Sequence, residues 1–303
     1  MRKIIDIIVG RGVDHMEISA KTKVASLIGH PIAHSFSPYI HNFLAEKYHV
    51  DLRYVALDVS PERVSEAVKG IGALGFIGSN VTIPHKIEVM KSLDEIESHA
   101  AIIGAINTIK NEQGRLIGYN TDGKGFVRSV LDKGHKLKRK HAMILGAGGA
   151  ARAVVVELAA NGVGKLTIRN HTLGKAEALA EDIKAHFPNV QVDAGPLELV
   201  AGEIADVDFL INTTPLGMSK QKDSCPIDEK IEPPNHLVVC DIVYTPYETR
   251  FIKWGKKHGL DVVPGIGMLI YQALESFYIW TGVDVSESYQ EVFELLVEKK
   301  VIG

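Results

Sequence analysis

The stretch that most constrains the fold of this chain is His141–Ala151, HAMILGAGGAA. A short apolar run, Ala142 to Leu145, meets Gly146-Ala147-Gly148-Gly149-Ala150-Ala151, and helix-forming residues follow from Arg152 to Ala160. A strand, a glycine turn and a helix in that order is the setting in which a glycine-rich motif binds a dinucleotide. Gly146 permits the tight turn, and Gly148 lets the backbone approach a pyrophosphate. Ala151 is small enough for the helix to lie close on the strand. The helix N-terminus then turns unpaired N–H groups and partial positive charge toward the phosphates. A tight βα turn without a ligand has the same outline, so the flanking segments must decide.

Those flanks alternate between strand and helix. Before the glycine turn, strands are predicted at 23–28, 52–57 and 75–81, with helices at 39–48, from Pro61 through Val68, and near 85–90. This alternation predicts a parallel α/β layer. Residues 104–125 predict a hairpin turning at Asn111–Gly114, followed by a glycine-rich hinge. From His141 a second series places strands at 141–145, 165–169, 190–194, 207–211, 237–242 and 261–263. That spacing suits one Rossmann unit of about six strands. An apolar helix, 267–280, and an amphipathic helix, 287–299, close the chain. The expected fold is therefore α/β with two domains and a ligand cleft between them. Glycines in 123–125 and 264–267 predict hinges for domain closure.

With 303 residues, the chain has room for two domains at about 150 residues each. A net charge of −3 gives no reason to expect nucleic acid or an anionic membrane as partner. No apolar run approaches the ~18 residues that span a bilayer. Only Cys225 and Cys240 are present, without C-x-x-C spacing. That suits a reducing cytoplasm and argues against a disulfide framework or structural zinc. The 13 histidines include His30 and His34, but Pro31 separates them and no H-E-x-x-H accompanies them, so no metal is expected. Residues 1–15 read as an appended or extended leader ahead of Met16, with an extra strand as the alternative.

Cofactor choice is read at the end of the second Rossmann strand, where an Asp or Glu would hold the ribose 2′-hydroxyl of NAD. Here the strand ends Arg169-Asn170-His171-Thr172, with no carboxylate and with Lys175 close behind. Positive and polar groups at that point favour NADP, although Arg and Lys also serve simply to solvate loops.

Four clusters of small polar residues follow apolar segments in the first half: His34-Ser35-Phe36-Ser37-Pro38, Asn80 to Lys86, Ala105-Ile106-Asn107-Thr108, and Tyr119-Asn120-Thr121-Asp122-Gly123. Open α/β sheets bind ligands at strand C-terminal ends, where these clusters fall. Hydroxyls, amides and one Lys–Asp pair suit a polyhydroxylated anionic small molecule.

Together with G-x-G-M-L-x-x-Q at 265–272, these clusters resemble the shikimate dehydrogenase family from about Ser26 to Gly282. The resemblance implies reversible, NADP-dependent reduction of 3-dehydroshikimate to shikimate in aromatic amino acid biosynthesis. It implies a substrate domain of residues 16–121 plus 265–303, completed by the C-terminal helices. The NADP-binding Rossmann domain would then be residues 122–264. Ser35 and Ser37, helped by Tyr244, fall on substrate-carboxylate positions, and Thr82, Asn107 and Gln272 on substrate-hydroxyl positions. Ser37 before Pro38 could equally be only a helix N-cap. Thr82 and Asn107 could bond only local backbone. Gln272 lies four residues after Met268 on an apolar helix, hence on the same face. Cofactor positions are Gly146, Ala147, Gly148, Gly149, Ala150, Arg169, Asn170, His171, Thr172, Lys175, Thr213, Gly265 and Met268. Family members commonly carry Arg where this chain has His171 and Lys175. A lone charge in place of a planar fork weakens bidentate phosphate recognition, which leaves NAD use open.

Lys86 and Asp122 are the catalytic pair in this reading. As hydride reaches the ketone carbon, a protonated Lys86 would stabilise the growing oxyanion and supply its proton. Asp122 would orient the ammonium and hold a substrate hydroxyl. In the oxidative direction the lysine must first lose that proton, so oxidation is expected to rise with pH. His34 and His85 would support the pocket loops. One rival is a quinate/shikimate dehydrogenase that uses NAD or both cofactors. The other is a non-catalytic dinucleotide or shikimate sensor. The chain is expected to act as a monomer or homodimer.

Overall fold

A computed structural model of the chain describes residues 17–199, 202–218 and 221–301. The expected leader, residues 1–15, lies outside them. The first half forms β1 (Lys23–Gly29), α1 (Ser37–Lys47), β2 (Leu52–Asp58), α2 (Val64–Ala73), β3 (Gly78–Val81), β4 (Glu95–Ile96), α3 (Ser98–Ile103), β5 (Thr108–Glu112) and β6 (Arg115–Tyr119). Its sheet has the order β2-β1-β3-β5-β6-β4. The sheet is mixed rather than parallel, because the hairpin β5–β6 is built into it. β5 pairs antiparallel with both β3 and β6. The hairpin turns at Gln113 and Gly114, both with positive φ. The segment expected as a helix near 85–90 is instead a turn that tightens into a 3-10 helix at Glu88–Ser92. Pro84 carries no N–H and disfavours helical backbone at Ile83, so the segment starts as a turn.

The second half runs α4 (Asp122–Asp132), β7 (His141–Leu145), α5 (Gly149–Ala160), β8 (Lys165–Asn170), α6 (Leu173–His186), β9 (Gln191–Pro196), β10 (Phe209–Asn212), β11 (Val238–Asp241), α7 (Arg250–Lys257) and β12 (Asp261–Val263). The six strands are parallel in the order β12-β11-β10-β7-β8-β9. Counted from β7, this is the 3-2-1-4-5-6 order of a dinucleotide-binding sheet, with its crevice between the first and fourth strands, β7 and β10. Buried Val, Ile, Leu and Ala of β7, β8, α5 and α6 form the core of this half. Such near-continuous apolar strands are what a sheet covered on both faces requires.

The chain ends in α8 (Ile266–Thr281) and α9 (Tyr289–Glu298), which return to the first sheet. Ile270, Leu274 and Phe277 of α8, with Val292 and Leu296 of α9, pack with Ala25, Leu27, Ile40 and Leu44. Gly123 and Gly125, expected in a loop hinge, lie instead in the first turns of α4, and Gly267 in α8. They are glycines because helices meet there. A β-carbon on Gly125 would lie 2.7 Å from the Gln272 amide nitrogen, and one on Gly267 would lie 2.7 Å from Ser129. Their missing side chains allow close helix packing. Among the described residues, no helix is long and apolar enough to cross a membrane.

His41 of α1 is a polar residue inside this core. Its ring is fully buried and stacks on Tyr54 at 4.3 Å, near Trp280. Neither ring nitrogen has a hydrogen-bond partner. Burial disfavours the imidazolium and pushes the pKa down to about 3. The folded state therefore resists protonation that the unfolded chain accepts near pH 6.5. This stability is present above pH 6.5 and is lost as pH falls toward 3, at about 1.4 kcal/mol per unit. His41→Phe should accordingly lose less stability than the parent between pH 7 and 4.5, read by urea midpoints. Parallel losses in the two proteins would show that His41 does not titrate in this way.

Candidate active site

The site is assembled where the first sheet hands over to the second. After β3 the chain turns through Thr82 to Lys86. Thr82 N donates to Ile28 O at 2.9 Å, and its methyl occupies the space where a β-carbon of Gly29 would fall. His85 is buried, and its Nε2 bonds Val59 O at 2.7 Å, which ties this turn to the segment after β2. His34, by contrast, is exposed. Backbone bonding between Ile106 N and Lys86 O, 2.8 Å, brings the third polar cluster alongside the second.

Lys86 Nζ donates to Asp122 Oδ2 at 2.6 Å. The pair is partly shielded, with side chains 28% and 14% exposed, so it is open enough to meet a ligand. Asp122 opens α4, where a carboxylate is favoured by the helix N-terminus. Its other oxygen, Oδ1, accepts from Asn107 Nδ2 at 2.8 Å. Asn107 is in turn held on every side. Nδ2 also reaches Thr121 Oγ1 at 2.9 Å, and Oδ1 accepts from Thr121 N at 2.8 Å and Thr108 Oγ1 at 2.9 Å. Gln272 Oε1 lies 3.5 Å from Asn107 Nδ2, and Gln272 Nε2 donates to Leu269 O at 2.8 Å. Lys86, Asn107, Asp122 and Gln272, named together from the family resemblance, are thus neighbours in the structure.

Beneath them lies a buried network that sequence reasoning missed. Asn80 Nδ2 donates to Asn107 O, Thr108 Oγ1 and Ser276 Oγ, each at 3.1 Å. Tyr54 OH donates to Asn80 Oδ1 at 2.7 Å. Ser276 Oγ also sits 3.2 Å from Thr121 Oγ1. A signal was available for Ser276, since it follows Gln272 by four residues on α8 and so shares its face.

The expected carboxylate positions are less tightly joined. Ser37 is the first residue of α1, and the residue at the cap, Phe36, makes no side-chain cap bond. Ser37 Oγ is therefore not spent as an N-cap. Ser37 N donates to Ser35 Oγ at 3.3 Å. Tyr244, just past β11, packs with Phe36 against the core of the first sheet. Burial raises its phenol pKa.

On the second sheet, Gly146 has φ +117, and a β-carbon there would strike Thr213 Oγ1 at 2.5 Å. That close approach lets Thr213 bond Leu145 O, with N and Oγ1 both at 2.8 Å, beside the glycine turn. At Gly148 and Gly149 the reverse holds. They are exposed, and an added β-carbon would meet nothing within 4 Å. With no side-chain cap on α5, this open cradle of N–H groups fits a pyrophosphate. Ala147 and Ala150 are half-buried beside it. Gly265 precedes α8 against the Ile242 carbonyl, and Met268 and Ala147 each pack on the Rossmann core. Asp241, buried at the end of β11, accepts from Asn212 Nδ2, Val243 N and Thr249 Oγ1. It thereby braces the loops that carry Thr213 and Tyr244. Burial pushes its carboxyl up to about 7 against those donors.

Arg169 is not a free cation at this edge. Its Nη2 donates to Glu203 Oε1 at 2.8 Å, and its guanidinium fills the space above Gly195. Asn170 Nδ2 is spent on Thr172 O at 2.9 Å. His171, Thr172 and Lys175 are exposed, and neither His171 nor Lys175 makes an ion pair among the described residues. No group of three His, Cys, Asp or Glu among the described residues is placed to hold a metal ion.

Known proteins share this arrangement. The model of the shikimate dehydrogenase substrate-binding domain matches residues 27–109. That of shikimate/quinate 5-dehydrogenase matches residues 128–222, and that of the shikimate 5′-dehydrogenase C-terminal domain matches residues 265–289. A protein of Methanocaldococcus jannaschii named shikimate dehydrogenase (NADP(+)) is 46% identical over 267 residues, covering 88% of this chain and 94% of its own. A crystal structure of a shikimate dehydrogenase in complex with NADP+ superposes with a TM-score of 0.86 at 43% identity, over 95% of this chain and 99% of that one. Shikimate 5-dehydrogenase from Listeria monocytogenes, in complex with shikimate and NAD, gives 0.85 at 30% identity, over 91% and 98%. Matched along nearly its whole length in both sequence and fold, the chain belongs to the shikimate dehydrogenase family.

Proposed function

We propose that this chain reduces 3-dehydroshikimate to shikimate reversibly with NADP(H), as a step of aromatic amino acid biosynthesis. The observation that carries the reading is the Lys86–Asp122 contact of 2.6 Å at the head of α4, within a polar cluster that includes Asn107, Thr121 and Gln272. NADPH, when bound, supplies the hydride that reduces a ketone carbon. Lys86 holds the proton the resulting alkoxide needs, and its ammonium stabilises charge as it develops on that oxygen. Asp122 keeps the ammonium in place through one oxygen while Asn107 fixes the other. Ser35, Ser37 and Tyr244 form the carboxylate cradle, and Thr82, Asn107 and Gln272 meet the hydroxyls. For this last role Asn107 must exchange one of its internal bonds for the substrate. We divide the chain into a substrate domain, 16–121 plus 265–303, and a cofactor domain, 122–264. Its two unbridged cysteines accord with a reducing cytoplasm. A monomer or a homodimer would house this site equally.

The test follows absorbance at 340 nm with shikimate or quinate against NADP or NAD. Turnover concentrated in the shikimate–NADP pair is expected. Comparable rates with quinate would establish the broader quinate/shikimate enzyme, and binding without turnover in all four would establish the sensor.

A further inference from the structure

The side chain of Arg152 fastens the head of α5 to the first half of the chain. Its Nε and Nη2 donate to Ile102 O, in the last turn of α3, at 3.3 and 3.2 Å. Carbonyls in the last turn of a helix lack an intrahelical partner, and a planar guanidinium can meet one with two donors. Nη2 also reaches Asp182 Oδ2 of α6 at 2.6 Å, which holds the fork from its far side. Around this contact, Ile103 and Ala105 belong to the same apolar cluster as Ala151 and Val155 of α5. Further along α5, Glu157 Oε1 lies 2.9 Å from His99 Nδ1 of α3.

Both ends of this link stand close to parts of the site. Arg152 N donates to Gly148 O at 3.0 Å, so the guanidinium springs from the turn that follows the glycine cradle. On the other side the chain leaves α3 through Gly104, with φ +69, and passes into Ala105–Asn107. That segment holds the Lys86–Asp122 pair. Ala105 O accepts from Asn120 Nδ2 at 2.9 Å, and Asn120 Oδ1 accepts from Asp122 N at 3.0 Å. Ile106 N donates to Lys86 O, and Asn107 Nδ2 to Asp122 Oδ1, both at 2.8 Å.

We propose that Arg152 is a positioning residue that sets the distance between the cofactor cradle and the Lys86–Asp122 pair. This rests on the function proposed above. Hydride transfer needs its two carbons about 3–3.5 Å apart, and a misplacement of about 1 Å costs on the order of 10²-fold in rate. Nε and Nη2 of Arg152 are spent on Ile102 and Asp182. Losing the side chain should therefore change how the two sites stand to one another while leaving each site whole.

Arg152→Met in the full chain reads this. The variant keeps an apolar stem on α5, and Gly123 of α4 still packs on Ala153, so the fold should persist. Its kcat for shikimate oxidation with NADP+ should fall about 10- to 100-fold. Dissociation constants for NADP+ alone and shikimate alone, by calorimetry, should stay within about threefold of the parent. Amide exchange without ligands should quicken in residues 98–107 and stay unchanged in β8 and β9. Asp182→Asn removes the outer partner but keeps the bond to Ile102, and its kcat should stay within about threefold of the parent. An Arg152→Met kcat within about threefold of the parent overturns the proposal. So does a loss of NADP+ affinity of about tenfold or more, which would make Arg152 a cofactor contact. Faster exchange throughout both sheets overturns it as well, because the role would then be stability alone. If the parent turns over shikimate with neither cofactor, it is the underlying functional reading that fails, and the exchange pattern still decides whether Arg152 holds α3 to α5.

Discussion

Lys86→Met should lower kcat for shikimate oxidation by about 10²- to 10⁴-fold, the usual worth of one positioned acid–base group. The substitution keeps an unbranched apolar chain as long as the lysine stem, with sulfur in place of Cδ, and removes the ammonium. Asp122 retains its bond from Asn107, and the neighbouring turn retains its backbone anchor between Ile106 N and Lys86 O. The fold should therefore persist, and NADP+ affinity by calorimetry should stay within about twofold, because a remote cofactor contact is not touched. Below saturation the parent oxidation rate should climb with pH, because Lys86 must accept the alcohol's proton, and the residual rate of the variant should not. A kcat within threefold of the parent would remove Lys86 from the chemistry. Equal loss of cofactor binding would instead show that the lysine supports the architecture.

Gly123→Ala is expected to be the most damaging small substitution at the centre of the molecule. In an open helix the change would gain about 1 kcal/mol from propensity. Here the new methyl would stand 2.2 Å from the Ala153 carbonyl oxygen and 2.5 Å from Glu157 Cγ. The carbonyl belongs to the backbone of α5 and cannot swing away. Overpacking of this kind costs about 1–3 kcal/mol, so sterics outweigh propensity. Relief requires α4 to move off α5. Because Asp122 is the first residue of α4, that motion also misplaces the partner of Lys86. A drop of several degrees in Tm together with a fall in kcat is expected. Gly148→Ala is the counterpart at an open position, where nothing lies within 4 Å. It should leave Tm near the parent value and weaken NADP+ binding, since its methyl enters the space a pyrophosphate would use. A stable, fully active Gly123→Ala would mean that α4 and α5 can separate freely, as a hinge would require.

The features legible in the sequence were those written in local chemistry. His141–Ala151 specified a strand, a positive-φ glycine and an uncapped helix start, because each depends on residues next to one another. Polar clusters after apolar runs marked the strand ends, and the family resemblance, not spacing, grouped Lys86, Asn107, Asp122 and Gln272. The tertiary structure decided what lies across from each residue. Gly123 and Gly125 read as hinge residues until α5 and α8 are packed against them, since local sequence does not say whether a missing side chain provides freedom or contact. Arg169 read as a lone cation at the strand end until Glu203, 34 residues away, paired with it. Asn80, Thr108 and Ser276 became one network only when β3, β5 and α8 met. His41 became a buried, neutral ring only when α8 covered α1. Turn geometry is set by short-range sterics and can be read along the chain. Partnership, burial and the charge a group carries depend on which distant segment fills the space beside it.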